Sequence, residues 1–104
     1  MGDIIMTAMN IVRCVVKADR VADFLALNEA RVAEDKHPGQ QSFNIVKTGE
    51  REYFWVGQWE SMDALVAARP AMIATLDQVR DMLEDLGDGL GVTDPRSGEV
   101  VVSG

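Results

Sequence analysis

The residue types best suited to chemistry are aromatic side chains in one short segment and two isolated asparagines. Tyr53, Trp55 and Trp59 fall within seven residues of one another. Asn10 and Asn28 each interrupt an otherwise apolar stretch. Indoles stack on flat ligands, and amides both donate and accept hydrogen bonds. These types predict walls for a pocket that binds a small aromatic molecule, but indoles also fill cores and amides also bond within a fold.

The aromatic segment is typical of a strand, and its alternation defines one face. Successive strand side chains point to opposite sides, so Tyr53, Trp55, Gly57 and Trp59 share a face. Gly57 leaves a gap between the two indoles, which either a flat ligand or a neighbouring side chain could fill. Tyr53 would offer its hydroxyl to a substrate oxygen or lie at the rim of a dimer interface.

Three further side chains are candidates for the same pocket. Arg80 flanks an apolar helix stripe and would stabilise a developing phenolate, unless it pairs with Glu84 one turn on. His37 is the obvious general base, since histidine changes charge near neutral pH, but its place at a predicted helix end favours an exposed capping role. Met72 would make a pocket wall adaptable, or would simply fill the core.

Composition limits the class of protein. The 104 residues predict a single domain over 1–104, and 47% hydrophobic with 26% charged residues is typical of a soluble globular protein. A formal charge of −7 disfavours nucleic acid as a partner. One histidine and one cysteine disfavour a metal site, and the lone Cys14 fits a reducing cytoplasm. With neither a signal-peptide pattern nor an apolar run near ~20 residues, we expect a cytoplasmic protein that binds no membrane.

The hydrophobic patterns predict the order βαββαβ. In chain order the predicted elements are strand 4–16, helix 19–37, strands 42–48 and 52–60, helices 61–68 and 70–86, and strand 99–102. Ser61 is the expected start of the second helical region, Pro70 its expected break, and Gly87 the expected cap of the last helix. Residues 94–98 are predicted to form a turn. This plan is ferredoxin-like, an α+β fold with a four-stranded antiparallel sheet.

Both faces of the first predicted strand are largely apolar. Because the helices of this plan cover one face of the sheet, a partner must cover the other. A second copy of the chain is the predicted partner, in a homodimer with twofold symmetry.

The segment 54–65, Phe-Trp-Val-Gly-Gln-Trp-Glu-Ser-Met-Asp-Ala-Leu, together with the plan and the length, resembles the antibiotic biosynthesis monooxygenase family. The resemblance implies a dimeric α/β barrel with a pocket between sheet and helices. It implies oxidation of a phenolic or quinol-like substrate by molecular oxygen, in some members without metal or flavin. We therefore expect no tightly bound cofactor.

The same resemblance bears on individual residues. The heme-degrading branch of the fold uses an asparagine on the first strand, a tryptophan at the end of the third and a histidine in the helical region that follows. Asn10 and Trp59 stand at the first two positions, and Arg69 stands about where the histidine would be. Because the family's histidines are missing, two other functions remain open: a small-molecule-binding protein without catalysis, and a structural dimer with a filled core.

Overall fold

The computed structural model describes residues 6–34 and 37–104 of the chain. Its elements are β1 (Ala8–Val15), α1 (Val21–Glu34), β2 (Gln40–Lys47), β3 (Glu52–Trp59), α2 (Met62–Val79), a short 3₁₀ helix (Arg80–Met82) and β4 (Asp94–Glu99). Residues 4 and 5 of the first predicted strand and residues 35 and 36 of the first predicted helix lie outside the described residues. None of the described helices is both long and apolar enough to cross a membrane.

The four strands form one antiparallel sheet in the order β2-β3-β1-β4. This order confirms the predicted ferredoxin-like α+β fold. In the central pair, Ala8 lies opposite Trp59 at one end, and Cys14 lies opposite Tyr53 at the other. The pairing fixes which residues share a face, since a slip of one residue would turn every side chain over.

The helices cover the face of the sheet that carries the buried residues of β1 and β3. Two separate clusters of buried apolar side chains lie on this face. One is built on Cys14, Phe24 and Tyr53, and the other on Ala8 and Trp59. The register places these clusters at opposite ends of the central strand pair. The middle of the pair, where Asn10 lies opposite Gly57, falls between the clusters.

Helix α2 differs from the prediction of two shorter helices. It begins after Ser61, whose hydroxyl accepts a hydrogen bond from the Ala64 N–H at 3.1 Å, as the capping pattern predicted. It then continues through Pro70 as one helix. Proline removes a backbone donor and disfavours helix at the residue before it, but neither effect ends this helix, because both of its halves pack against the sheet.

The C-terminal elements also differ from the prediction. Helix α2 ends at Val79, and Leu83, predicted to be helical, forms an antiparallel bridge with Val16. Gly87 therefore does not cap α2. The predicted turn at 94–98 is strand β4, and most of the predicted strand 99–102 lies beyond it. Pro95 is tolerated in β4 because an edge strand leaves half of its backbone donors unpaired.

The opposite face of the sheet has no covering element among the described residues. It carries apolar side chains of three strands, and Ile11 and Val46 there are 42% and 43% exposed. Arg13 on this face pairs with Glu52, the cross-strand ion pair that is the usual explanation for a charge at such a site, with 3.4 Å between Nη1 and Oε2. The apolar face fits the predicted homodimer, which stays a prediction.

Candidate small-molecule site

A cavity of about 770 Å3 lies between the inner face of the sheet and the two helices. Its size is in the range of known small-molecule sites. Five residues predicted from the sequence line it: Asn10, Asn28, Trp55, Trp59 and Met72. A purely structural dimer would require a filled interior, and the interior of this protein is not filled.

Asn10 and Trp59 form a hydrogen-bonded pair in the cavity wall. The Trp59 Nε1–H donates to Asn10 Oδ1 at 2.8 Å, and both residues are buried. Asn10 Nδ2 faces Met72 Sδ at 3.7 Å. A thioether is a weak acceptor, so an oxygen atom of a bound ligand would be the better partner for this amide.

Gly57 makes the close approach of Asn10 and Trp59 possible. A Cβ atom at this position would clash with Asn10 Oδ1 and lie 3.0 Å from Trp59 Nε1. The gap that the sequence predicts between the two indoles is therefore occupied by the Asn10 side chain. Glycine is needed here because any side chain would displace the hydrogen bond.

Asn28 and Trp55 form a second pair of the same kind. The Trp55 Nε1–H donates to Asn28 Oδ1 at 3.2 Å, and Asn28 Nδ2 donates to the Phe24 carbonyl at 2.8 Å. Both ends of this amide are thus committed within the protein. Asn28 fixes α1 against β3, whereas Asn10 keeps a donor that a ligand could use.

His37 also lines the cavity, although its sequence position favoured an exposed capping role. It is half-buried, and its ring centre lies 6.0 Å from that of Trp59. The turn after it brings it there: Gln40 N–H donates to the His37 carbonyl at 3.1 Å, and Gly39 has a φ of +82°. A Cβ on Gly39 would lie 2.6 Å from Ala64 Cβ, so glycine lets this turn pass close to α2.

Two residues predicted to act in the pocket lie outside it. Tyr53 is buried in the other cluster, where its ring contacts that of Phe24 at 5.4 Å between centroids. Arg80 is exposed and pairs with Asp77, one turn before it, rather than with Glu84. The structure corrects the prediction that they serve this cavity, because the end of α2 lies over the other cluster.

Three arginines line the cavity and were missed as site residues: Arg31, Arg69 and Arg96. Arg31 donates to Gln78 Oε1 at 3.0 Å and to Thr75 Oγ1 at 3.1 Å, which links α1 to α2. Arg69 donates to Ser97 Oγ at 3.1 Å, which links α2 to β4. Arg69 lies three residues before Met72, and only this helical spacing could have indicated that both face the cavity. Arg96 gave no such signal, because the sequence predicts a turn where β4 lies.

Burial lowers the reactivity of the single thiol of the chain, that of Cys14. Cys14 is fully buried in the other cluster, and loss of solvation raises its pKa from 9.0 to about 12, against a smaller opposing effect of Arg13. It takes no part in the cavity. Within residues 6–34 and 37–104, no group of three or more histidine, cysteine, aspartate or glutamate side chains is arranged to hold a metal ion.

No protein-family model and no curated protein sequence matches the chain. Solved structures match it over nearly its whole length. A candidate antibiotic biosynthesis monooxygenase from Nitrosomonas europaea has a TM-score of 0.71 at 15% identity, covering 97% of this chain and 96% of its own. SnoaB, a cofactor-independent oxygenase from Streptomyces nogalater, has a TM-score of 0.71 at 14% identity, covering 93% and 95%. A heme-degrading protein from Mycobacterium tuberculosis has a TM-score of 0.61 at 21% identity, covering 96% and 97%.

At these identities the likeness concerns the fold. The chain has the fold of structures named as antibiotic biosynthesis monooxygenases, and the ferredoxin-like fold of its single chain is confirmed. The dimer that the resemblance also implied stays a prediction. Activity does not follow from a shared fold and has to be argued from the site.

Proposed function

We propose that the protein is a monooxygenase that uses molecular oxygen, and no tightly bound cofactor, to oxidise a small phenolic, quinol or polyketide-like aromatic substrate. One observation carries the proposal: His37 lies against Trp59 in a cavity that has two indoles in its walls. This chemistry needs a proton acceptor beside an apolar aromatic surface. The fold likeness to a cofactor-independent oxygenase supports the same proposal.

The walls would hold an aromatic ring in a defined orientation. Trp55, which is half-buried, offers a flat apolar surface, and Met72 can adjust to the ring. Trp59 is fully buried and holds the Asn10 amide in place through its hydrogen bond. Asn10 Nδ2 would exchange its weak contact with Met72 Sδ for a hydrogen bond to a substrate oxygen. This bond would strengthen as that oxygen gains negative charge, so it stabilises a phenolate more than a phenol.

The reaction is balanced with oxygen as the only oxidant. His37 accepts the phenolic proton, and the phenolate transfers one electron to oxygen. The two radicals then form a carbon–oxygen bond at a ring carbon that carries hydrogen, and His37 returns the proton to give a hydroperoxide. Loss of water, with the hydrogen of that carbon, leaves a carbonyl. One oxygen atom stays in the product and the other leaves as water.

Oxygen uptake by chelator-treated protein with hydroquinones, naphthols and anthrones tests the proposal. We expect uptake above the uncatalysed rate for at least one compound. In His37→Gln we expect kcat to fall about 100-fold or more, because a general base contributes about this much. Lys47→Gln is the control, since Lys47 is exposed and does not line the cavity.

Two results would contradict the proposal. Binding of panel compounds without oxygen uptake would point to a small-molecule-binding protein that has no catalytic activity. Full activity in His37→Gln would remove the assigned base. Asn10→Ala tests the second role, because we expect it to lower kcat through lost phenolate stabilisation while His37 still accepts the proton.

A further inference from the structure

We infer that the aromatic ligand of this cavity carries a carboxylate, and that Arg69 binds it on the β4 side of the cavity. The inference rests on the proposed function, since it names the class of substrate for the same cavity. It comes from the distribution of charge around the cavity and from the partners of its arginines.

The described lining of the cavity contains arginines but no carboxylates, although the protein as a whole is acidic. The sequence has 17 acidic and 10 basic residues. Yet the described residues that line the cavity include Arg31, Arg69 and Arg96 and no aspartate or glutamate. Charges of one sign around a low-dielectric cleft raise the local concentration of ligands of the opposite sign. A cavity lining with arginines and no carboxylates among the described residues therefore favours an anionic ligand over a neutral one.

Among the three arginines, Arg69 is the one best suited to bind an anionic ligand, because its partner is neutral and does not offset its charge. It donates to the neutral Ser97 hydroxyl at 3.1 Å, and no carboxylate of the described residues forms an ion pair with it. Arg96 instead pairs with Asp94 at 2.6 Å, which offsets its charge. Arg31 is placed by its bonds to Thr75 and Gln78, which hold the two helices together.

The bond to Ser97 places Arg69 beside the Asn10–Trp59 pair. Ser97 lies opposite Asn10 in the β1–β4 register. The Arg69 guanidinium therefore lies one strand away from the amide that faces the substrate oxygen. Guanidinium binds carboxylate through two parallel hydrogen bonds, which orients a planar acid as well as attracting it. A ring with a hydroxyl and a nearby carboxylate would engage both residues at once.

Calorimetric titration with hydroxynaphthoate and with its methyl ester tests the inference, because the two probes differ chiefly in charge. We expect the acid to bind the wild-type protein roughly two- to fivefold more tightly than the ester, as for an exposed ion pair. This preference should shrink in high salt. We expect Arg69→Gln to abolish it, Arg69→Lys to retain part of it, and Lys47→Gln to leave it unchanged.

Equal or tighter binding of the ester would overturn the inference. Binding of neither probe, or an acid preference that survives in Arg69→Gln, would overturn it as well. The readout is separate from turnover: an acid preference without oxygen uptake supports the ligand class and contradicts the monooxygenase. Oxygen uptake with neutral quinols and no acid preference supports the monooxygenase and contradicts the ligand class.

Discussion

Gly57 supports the cavity wall by having no side chain. The Trp59–Asn10 hydrogen bond passes over its Cα, where a Cβ atom would clash with Asn10 Oδ1. The position is in the centre of β3, paired on both sides, so the backbone has little room to move away. The bond between Asn10 and Trp59 is therefore the part that would break.

Gly57→Ala should lower the free energy of unfolding by about 1–3 kcal/mol, the usual cost of forcing an atom into a packed interior. Urea unfolding followed by tryptophan fluorescence measures this. Gly98→Ala is the control, because a Cβ at Gly98 meets no atom within 4 Å. Equal midpoints for the two variants would show that Asn10 can move aside without loss.

The buried thiol of Cys14 gives a second prediction for a single residue. Burial raises its pKa to about 12, so the folded protein holds the thiol proton more tightly than the unfolded chain. The stability that this group contributes is complete below pH 9.0 and is lost as the pH rises toward 12. We expect no reaction of the native protein with Ellman's reagent at a pH of about 8, and full reaction in urea.

Cys14→Ala provides the check on that assignment. The stability of this variant should decline less above pH 9.0 than that of the wild-type protein, because its folded and unfolded states no longer differ in a thiol proton. Rapid labelling of the native protein would instead show that the thiol is accessible.

At the scale of elements, α2 includes a proline that its packing tolerates. Pro70 lies in the middle of Met62–Val79 and cannot donate the hydrogen bond to the Val66 carbonyl that another residue would. Leu65 and Ala68 before it pack in one cluster, and Val79 after it packs in the other. The contacts on both sides hold the helix in one piece.

Pro70→Ala should therefore raise the free energy of unfolding by about 1–3 kcal/mol, since a proline in a helix interior costs up to about 3 kcal/mol relative to alanine. Chemical denaturation measures the change. Ala74→Gly, at an exposed position of the same helix, should lower the free energy of unfolding by about 1 kcal/mol. It gives a reference value for a change in helix propensity alone. A less stable Pro70→Ala variant would mean that the proline ring itself contributes packing.

For the whole molecule, the main feature is the face of the sheet that no described element covers. Ile11 and Val46 are 42% and 43% exposed there, and Val56 lies opposite Ile11. A contiguous apolar face of this kind usually marks an interface. The predicted homodimer would bury it against a second copy.

We expect a dimer for the wild-type protein in sedimentation equilibrium, and a monomer for Ile11→Asp, because an unpaired carboxylate would be buried in the interface. Val66→Asp is the matched control: Val66 is 46% exposed on α2, away from this face. A monomeric wild-type protein, or a dimeric Ile11→Asp variant, would contradict the prediction.

The order of the elements and the faces of the strands and helices follow from local patterns in the sequence. Alternation and helical spacing depend on neighbours within a few residues, and they identified the βαββαβ plan, the cap at Ser61 and the polar interruptions at Asn10 and Asn28. Because a buried amide needs a partner, these two asparagines could be singled out before any partner was known.

The partners of the two asparagines depend on contacts between distant parts of the chain. Asn10 bonds to a residue 49 positions away and Asn28 to one 27 positions away, and no local pattern specifies such pairs. The predictions at Pro70 and Pro95 are wrong for a related reason. Local propensity opposes a helix at Pro70 and a strand at Pro95, but long-range packing stabilises the helix and edge pairing stabilises the strand. His37 reached the cavity because the turn at Gly39 passes against α2, a contact that exists only once the helix lies on the sheet.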